Sequence, residues 1–144
     1  MNKTQVMDRT QLEQAIVQAI SNNKFGSFGT VEAGKPKVRY MAVFNDGLNI
    51  HLVTDRKTHK VEELKQNSNI ALLLGYEAGG TKEVVEIEGT ADITKNEELR
   101  SKVWNDELKQ WFEGPEDPDY VILDITPTRI EYSSKDTGRQ VWER

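Results

Sequence analysis

Arg56, Lys57, His59 and Lys60 gather where a helix is expected to begin, in a chain whose formal net charge is −5. The positive end of a helix dipole disfavours each cation there by roughly a few tenths of a kcal/mol, so a negative ligand would relieve a standing cost. A phosphate suits the place. Free backbone N–H groups at a helix start, the hydroxyls of Thr54 and Thr58 and the nearby cationic side chains could converge on it, and Arg39, on a neighbouring strand, could join them across the sheet. The plainer alternative is that these long side chains solvate a surface turn. Pattern alone leaves the two readings about level.

Other chemistries find less support. Gly75 and Gly80 have the spacing of a phosphate-binding loop, but Thr81-Lys82 follows in the wrong order and leads into a strand, so no helix dipole points at the loop. Gly26 and Gly29 are too few for a dinucleotide fingerprint. Ser27 lacks a partner at recognisable spacing, and His51 and His59 are the chain's two histidines, which argues against a Ser-His hydrolase. Glu86 and Glu88 share a strand face, but without histidine neighbours they read as a solvated face or a dimer rim rather than a metal site. The acidic run Glu113 to Asp119 lacks the alternating ligand spacing of a calcium loop and reads as a stiff, solvated connection. The chain contains no cysteine, which removes disulfides, thiolate nucleophiles and thiolate metal sites together.

The elements that must position these residues follow from patterning. A length of 144 residues suits one domain, expected to span 1–144. The acidic balance argues against nucleic acid or an anionic membrane surface as partner. No apolar stretch is long enough to span a bilayer, and the polar start Met1 to Gln5 lacks the apolar core of a signal peptide, so the protein is expected in the cytoplasm. Thr10-Gln11-Leu12-Glu13 has capping-box spacing and opens a helix to about Ser21, with Leu12, Ala15, Ile16, Ala19 and Ile20 on one face. Phe25 to Glu32 and the alternating stretch through Val38, Tyr40, Ala42 and Phe44 make a hairpin about the turn Ala33-Gly34-Lys35-Pro36. Asn45-Asp46-Gly47 then turns into a third strand through Leu48, Ile50 and Leu52.

Thr58 to Gln66 is a short helix burying Val61 and Leu64. Ile70 to Tyr76 is a continuous apolar run that reads as a strand buried on both faces. Ala78-Gly79-Gly80 turns the chain into a long strand from Val84 to Ile93, with a bend or close backbone approach expected at Gly89. A second capping box, Thr94 to Glu97, opens a helix whose apolar side carries Leu99, Val103, Trp104, Leu108, Trp111 and Phe112, with Gly114 and Pro115 as its stop. Tyr120 to Ile125, Arg129 to Tyr132 and Gln140 to Trp142 read as closing strands, the last two joined by a turn at Asp136-Thr137-Gly138. Strands follow strands with helices at the margins. The expected fold is mainly β (α+β), a small antiparallel barrel with peripheral helices, and a parallel doubly wound sheet is disfavoured.

With those pieces in order, the chain resembles the pyridoxamine 5'-phosphate oxidase-like split-barrel family, and within it the flavin-binding general stress protein branch. The likeness runs from about Leu12 to Tyr132. It rests on Gly34-Lys35-Pro36 with Arg39 and Met41, on Thr54 with Thr58-His59-Lys60, and on Val85 to Ala91. The acidic run ending at Tyr120 and the segment Pro127 to Tyr132 complete it. The resemblance implies a homodimer with FMN, or alternatively FAD or another flavin, in clefts between subunits. By matching position, Arg39, Thr58 and Lys60 would hold the phosphate, with His59 standing where the oxidases carry an arginine, while Tyr40, Met41, Val53 and Thr54 would line the flavin.

Departures from the family pattern shape the functional expectation. Phe44 occupies the place of a substrate-binding lysine of the true oxidases, Val84 that of a flavin-contacting glutamine, and Ser133 that of a tryptophan. Arg139 corresponds to a C-terminal substrate arginine, but the residues after it do not match. The resemblance therefore implies a flavin-dependent oxidoreductase, connected with stress, that exchanges electrons with a small-molecule donor or acceptor other than a vitamin B6 phosphate. The alternatives are a non-catalytic flavin-binding or sensing module and a haem or deazaflavin binder of the same fold.

Overall fold

The computed structural model describes residues 6–75 and 83–144, and of His59 and Lys60 the backbone alone. The expected turn at Ala78-Gly79-Gly80, and Tyr76 and Thr81-Lys82 beside it, lie outside the described residues.

The first helix, α1 (Arg9–Ser21), is capped two residues before the expected cap Thr10. Asp8 is its N-cap, accepting from the Gln11 amide at 2.7 Å while the Gln11 side chain accepts from the Asp8 amide at 3.1 Å. Glu13, which would complete the box on Thr10, instead accepts from the Trp142 indole at 2.9 Å. Leu12, Ile16, Ala19 and Ile20 are buried as the periodicity requires.

β1 (Phe25–Glu32), β2 (Lys35–Asp46) and β3 (Asn49–Asp55) form the expected meander. Ala33 and Gly34 both have positive φ, 50° and 76°, the geometry a two-residue hairpin turn demands. After α2 (His59–Gln66) come β4 (Asn69–Leu74) and β5 (Glu83–Thr94). β4 is not buried on both faces: it alternates, with Ile70, Leu72 and Leu74 inside and Asn69, Ala71 and Leu73 outside.

The next helix, α3 (Glu97–Val103), is shorter than its apolar pattern suggests, and a separate 3-10 turn follows at Asp106–Gln110. The break has a local cause, because the Asn105 side chain caps the second turn by accepting from the Glu107 amide at 2.9 Å. Asn96, not Thr94, caps α3, accepting from the Leu99 amide at 3.2 Å. The two closing strands expected on either side of Pro127 are one strand, β6 (Tyr120–Ser134), and β7 (Gly138–Glu143) follows it. Pro127 is accommodated at a register shift: Glu88 pairs with Arg129 and Gly89 with Pro127, so Thr128 has no opposite number in β5. A Cβ on Gly89 would come within 2.2 Å of the Thr126 carbonyl oxygen, which accounts for glycine at that close approach.

The sheet order is β3-β2-β1-β4-β5-β6-β7, and an added β3–β6 pairing closes six of these strands into a barrel, with β7 outside on β6. The barrel interior is one apolar cluster that includes Phe28, Ile50, Leu52, Leu72, Val85, Ile87, Leu123 and Ile130, together with the inward faces of α1 and α2. A second cluster of Val103, Leu108, Phe112, Tyr120 and Ile122 lies outside the barrel wall, where α3 and the 3-10 turn cover it. Fully buried side chains such as Phe28 and Tyr120 (each 0% exposed) contribute about 1.5–3 kcal/mol apiece.

Candidate functional site

β2 changes neighbours part-way along its length. Lys35 to Ala42 pair with β1, and Val43 to Asp46 pair with β3. β3 in turn continues beyond Leu52 with β6 as its neighbour, through Val53, Thr54 and Asp55. The early half of β2 and the late half of β3 therefore diverge, and the candidate residues lie on the two sides of that split. Met41 and Thr54 face inward and are buried, whereas Tyr40 is turned to the outer face and is 75% exposed. Val53 points the other way from Thr54, toward the cluster under α3.

Thr54 and Thr58 are brought together, their hydroxyl oxygens 3.4 Å apart. Thr58 is the N-cap of α2, yet its side chain accepts no helix amide. It donates instead to the Asp55 carbonyl at 2.9 Å. The first turn of α2 thus begins without a side-chain cap, beside two hydroxyls, which is a chemically competent place for an anion. His59 and Lys60 occupy the first helical positions of α2, and their side chains lie outside the described residues.

The other two cations of the basic group already have a negative partner. Arg56 and Lys57 reach Asp119 at 3.2 and 3.1 Å, and the Arg56 amide donates to the Asp119 carbonyl at 2.9 Å. The acidic connection is therefore more than a solvated spacer. Asp117 accepts from the amides of Glu113 and Asp119, both at 2.9 Å, and those bonds, in that order, hold its carboxyl below the ordinary aspartate value. Arg100, which the sequence did not single out, donates to the carbonyls of Pro115 at 3.0 Å, Asp117 at 2.8 Å and Tyr120.

Arg39 is engaged from the inside. It donates to the Thr30 hydroxyl at 2.9 Å and pairs with Glu63 of α2 at 3.3 Å, while Thr30 donates to Glu63 at 2.6 Å. Burial alone would raise the Glu63 pKa, but the Thr30 hydrogen bond, the Arg39 charge and a hydrogen bond with Glu32 outweigh it and hold the carboxyl below the ordinary value. Glu63 carried no signal in the sequence beyond its place in a short helix.

Two concavities flank α2. The larger, about 920 Å³, lies between α2, the end of β5, α3 and the acidic connection, with Val61, Val121, Lys95 and Arg100 among its walls. Arg56 lines it too, whereas Arg39, Tyr40, Met41, Val53, Thr54 and Thr58 do not. The smaller, about 450 Å³, lies on the Glu63 side of α2, against the β1–β2 turn.

The outer face of the sheet carries a further feature that the sequence reading missed. Tyr40, Val38, Phe25 and Leu73 are 75, 71, 63 and 45% exposed. Register gathers them: Ser27 lies between Tyr40 and Leu73, Gly29 between Val38 and Ala71, and Phe25 opposite Ala42. The rows run on into Glu86 and Glu88 of β5. Four large apolar side chains are thus exposed together on one face of the sheet.

Comparison with known proteins adds the family context. A family profile described as pyridoxamine 5'-phosphate oxidase matches residues 12–134. The chain is 42% identical over 125 residues to general stress protein 26 of Bacillus subtilis (strain 168), covering 86% of this chain and 89% of that one. The crystal structure of general stress protein 26 from Bacillus anthracis str. Sterne superposes with a TM-score of 0.83 at 31% identity, covering 92% of this chain and 98% of the other. A protein related to general stress protein 26, of the pyridoxinephosphate oxidase family, from Clostridium acetobutylicum gives a TM-score of 0.77 at 25% identity, over 95% and 96% of the two chains.

Proposed function

Because the chain belongs to the pyridoxamine 5'-phosphate oxidase-like family, in its general stress protein branch, we propose that it binds FMN or a related flavin at the split between β2 and β3 and acts as a flavin-dependent oxidoreductase. The observation that carries this reading is the start of α2, where an uncapped first turn meets the paired hydroxyls of Thr54 and Thr58, 3.4 Å apart. The open first turn, with hydroxyls that can rotate from their present partners toward a ligand, fits a phosphate ester. Thr54, Thr58, Lys60 and the exposed edge of Arg39 would hold the phosphate, with His59 beside them, and Met41, Tyr40 and Val53 would line or support the ring. A flavin, when bound, supplies hydride and single-electron transfer. The chain's own residues bind it, orient it and keep water from it.

The exposed rows around Val38 and Tyr40 support a homodimer. An isologous pairing through this face would cover apolar surface and complete the wall of a cleft that a single barrel leaves open. Among the described residues no helix is long and apolar enough to cross a membrane, and the acidic, cysteine-free chain suits the cytoplasm.

A substrate other than a vitamin B6 phosphate is favoured by Phe44, which packs against the apolar cluster under α3 where a true oxidase would place a lysine. Val84 and Ser133, the other two departures, lie directly opposite each other across β5 and β6. These same departures favour, as a second reading, a module that stores or senses flavin without turnover. The absorption spectrum of the purified protein tests both. Flavin bands bleached by a reduced nicotinamide indicate the enzyme, bands that persist indicate the module, and a protein that neither carries nor takes up flavin refutes the proposal.

A further inference from the structure

The Arg39–Thr30–Glu63 arrangement places a negative charge beside the group expected to receive a phosphate. Thr30 is 2% exposed and does double duty, accepting from Arg39 and donating to Glu63. The Glu63 side chain is 3% exposed and that of Arg39 25%. A carboxylate so enclosed does not swing aside when a ligand arrives, because leaving it unpaired would expose the full cost of a buried charge. Glu63 also belongs to α2 itself. It lies five residues after the Thr58 N-cap, about 7.5 Å along the axis at 1.5 Å per residue, which is within a Debye length and shielded from salt by burial.

We propose that Glu63 is a specificity-determining residue: by holding Arg39 through Thr30, its carboxylate cancels the guanidinium charge at the phosphate end of the flavin site. The FMN phosphate then gains less from Arg39 than from the start of α2, and the preference for FMN over riboflavin is smaller than a free Arg39 would give. This inference rests on the flavin reading above and adds to it the determinant of ligand charge.

The test is titration with FMN and with riboflavin, followed by flavin fluorescence. Glu63→Gln keeps the shape and a hydrogen-bond acceptor but removes the charge, so it should raise the preference for FMN over riboflavin about tenfold relative to the wild type, the value of one freed charge-assisted contact. The inference is overturned if Glu63→Gln changes both affinities equally, as a purely structural brace would. Should Glu63→Gln fail to fold, the wild type carries the test alone: FMN bound more than about a hundredfold tighter than riboflavin overturns the inference, and a smaller preference supports it. A wild type that binds neither flavin refutes the underlying reading instead, and the two failures are told apart because in the first both ligands bind.

Discussion

Arg100 and Tyr120 hold each other through backbone and ring together. The Tyr120 hydroxyl donates to the Arg100 carbonyl at 2.9 Å, the Arg100 guanidinium lies 4.7 Å from the centroid of the Tyr120 ring, and the same guanidinium donates to the Tyr120 carbonyl. With its further bonds to Pro115 and Asp117, Arg100 ties α3, the acidic connection and the start of β6 into one unit. Tyr120 is completely buried between Trp104 and Phe112, whose rings lie 5.3 and 5.4 Å from its own. The connection in turn carries Asp119, the counter-charge of Arg56 and Lys57 just before α2.

Replacing Arg100 with Met should therefore be costly. It strands several carbonyl oxygens at once, and a loss of about 2–4 kcal/mol is expected. Tyr120→Phe, which removes one hydroxyl and keeps the ring, should cost about 1 kcal/mol. Denaturant midpoints at constant m-value measure both. Equal losses for the two variants would show that the carbonyl clamp and the guanidinium–ring contact together are worth no more than the single hydroxyl bond.

The Arg39–Glu63 pair makes a separate stability prediction. Arg39→Ala leaves Glu63 buried without its counter-charge and should cost about 3–5 kcal/mol, whereas Arg39→Ala with Glu63→Gln should recover part of that loss. A double-mutant cycle by urea unfolding gives the coupling. Additive losses would mean that the pair contributes as packing alone. The result also bears on cofactor titrations, since a drop in flavin affinity in Arg39→Ala reports the phosphate site only if the fold is intact. Lys57→Ala should change little, because Lys57 is 70% exposed and its bond to Asp119 is a surface ion pair.

How much of this was legible follows from the range of each interaction. Alternation in β2 and the turn at Gly34 depend on neighbouring residues, so the meander could be read directly. Two capping boxes with the same spacing overlap before α1, and what separates them is Trp142, at the far end of the chain, which takes Glu13. Glu63 looked like any helical acid because its partner Arg39 lies on a strand 24 positions earlier, and only the rotation of α2 against β1 brings them together. The run Ile70 to Tyr76 reads as buried on both faces because apolar composition does not say what covers the second face. Leu73, 45% exposed, is where that reading failed, and it is part of the patch attributed above to an interface. The basic group before α2 was visible, but the carboxylate that meets half of it, Asp119, lies on the acidic run that had been read as a solvated spacer.

His51 gives a pH dependence that begins above the carboxylate range. It is 7% exposed, and its Nδ1 makes no hydrogen bond, lying 3.5 Å from Asp124. Burial lowers its pKa, opposed by the charges of Asp124 on β6 and Asp46 on β2, while Lys102 on α3 adds to the lowering. A histidine whose folded pKa lies below its unfolded value of 6.5 contributes stability that is full above pH 6.5 and is lost as pH falls through that value toward the folded pKa. Wild-type urea midpoints should therefore decline between about pH 7 and pH 5, and His51→Gln should flatten that segment. A second loss belongs to Glu131, whose carboxyl is held down to about 2 by Arg139 and then Arg129. Its contribution is full above the ordinary glutamate pKa and disappears as pH falls from there toward 2. A wild-type profile that is flat from pH 7 to pH 5 would contradict the His51 assignment.

The dimer prediction turns on the outer face of β1, β2 and β4. Tyr40 and Leu73 stand on either side of Ser27 in the same row, so a charge at either position would fall in the middle of the proposed interface, where it would lose its water without gaining a partner. Leu73→Lys and Tyr40→Glu should each shift the protein from dimer to monomer in light scattering at micromolar concentration. Their denaturant midpoints at low concentration should change little, because both side chains are already exposed in the single chain. Glu86, on the charged continuation of the same row, provides the contrast: Glu86→Gln lies at the expected rim and should leave the dimer in place. If flavin affinity falls together with dimerisation in Leu73→Lys, which leaves every proposed flavin contact in place, and not in Glu86→Gln, the cleft is completed by the second copy. A wild type that is monomeric with flavin bound would instead confine the whole site to one barrel.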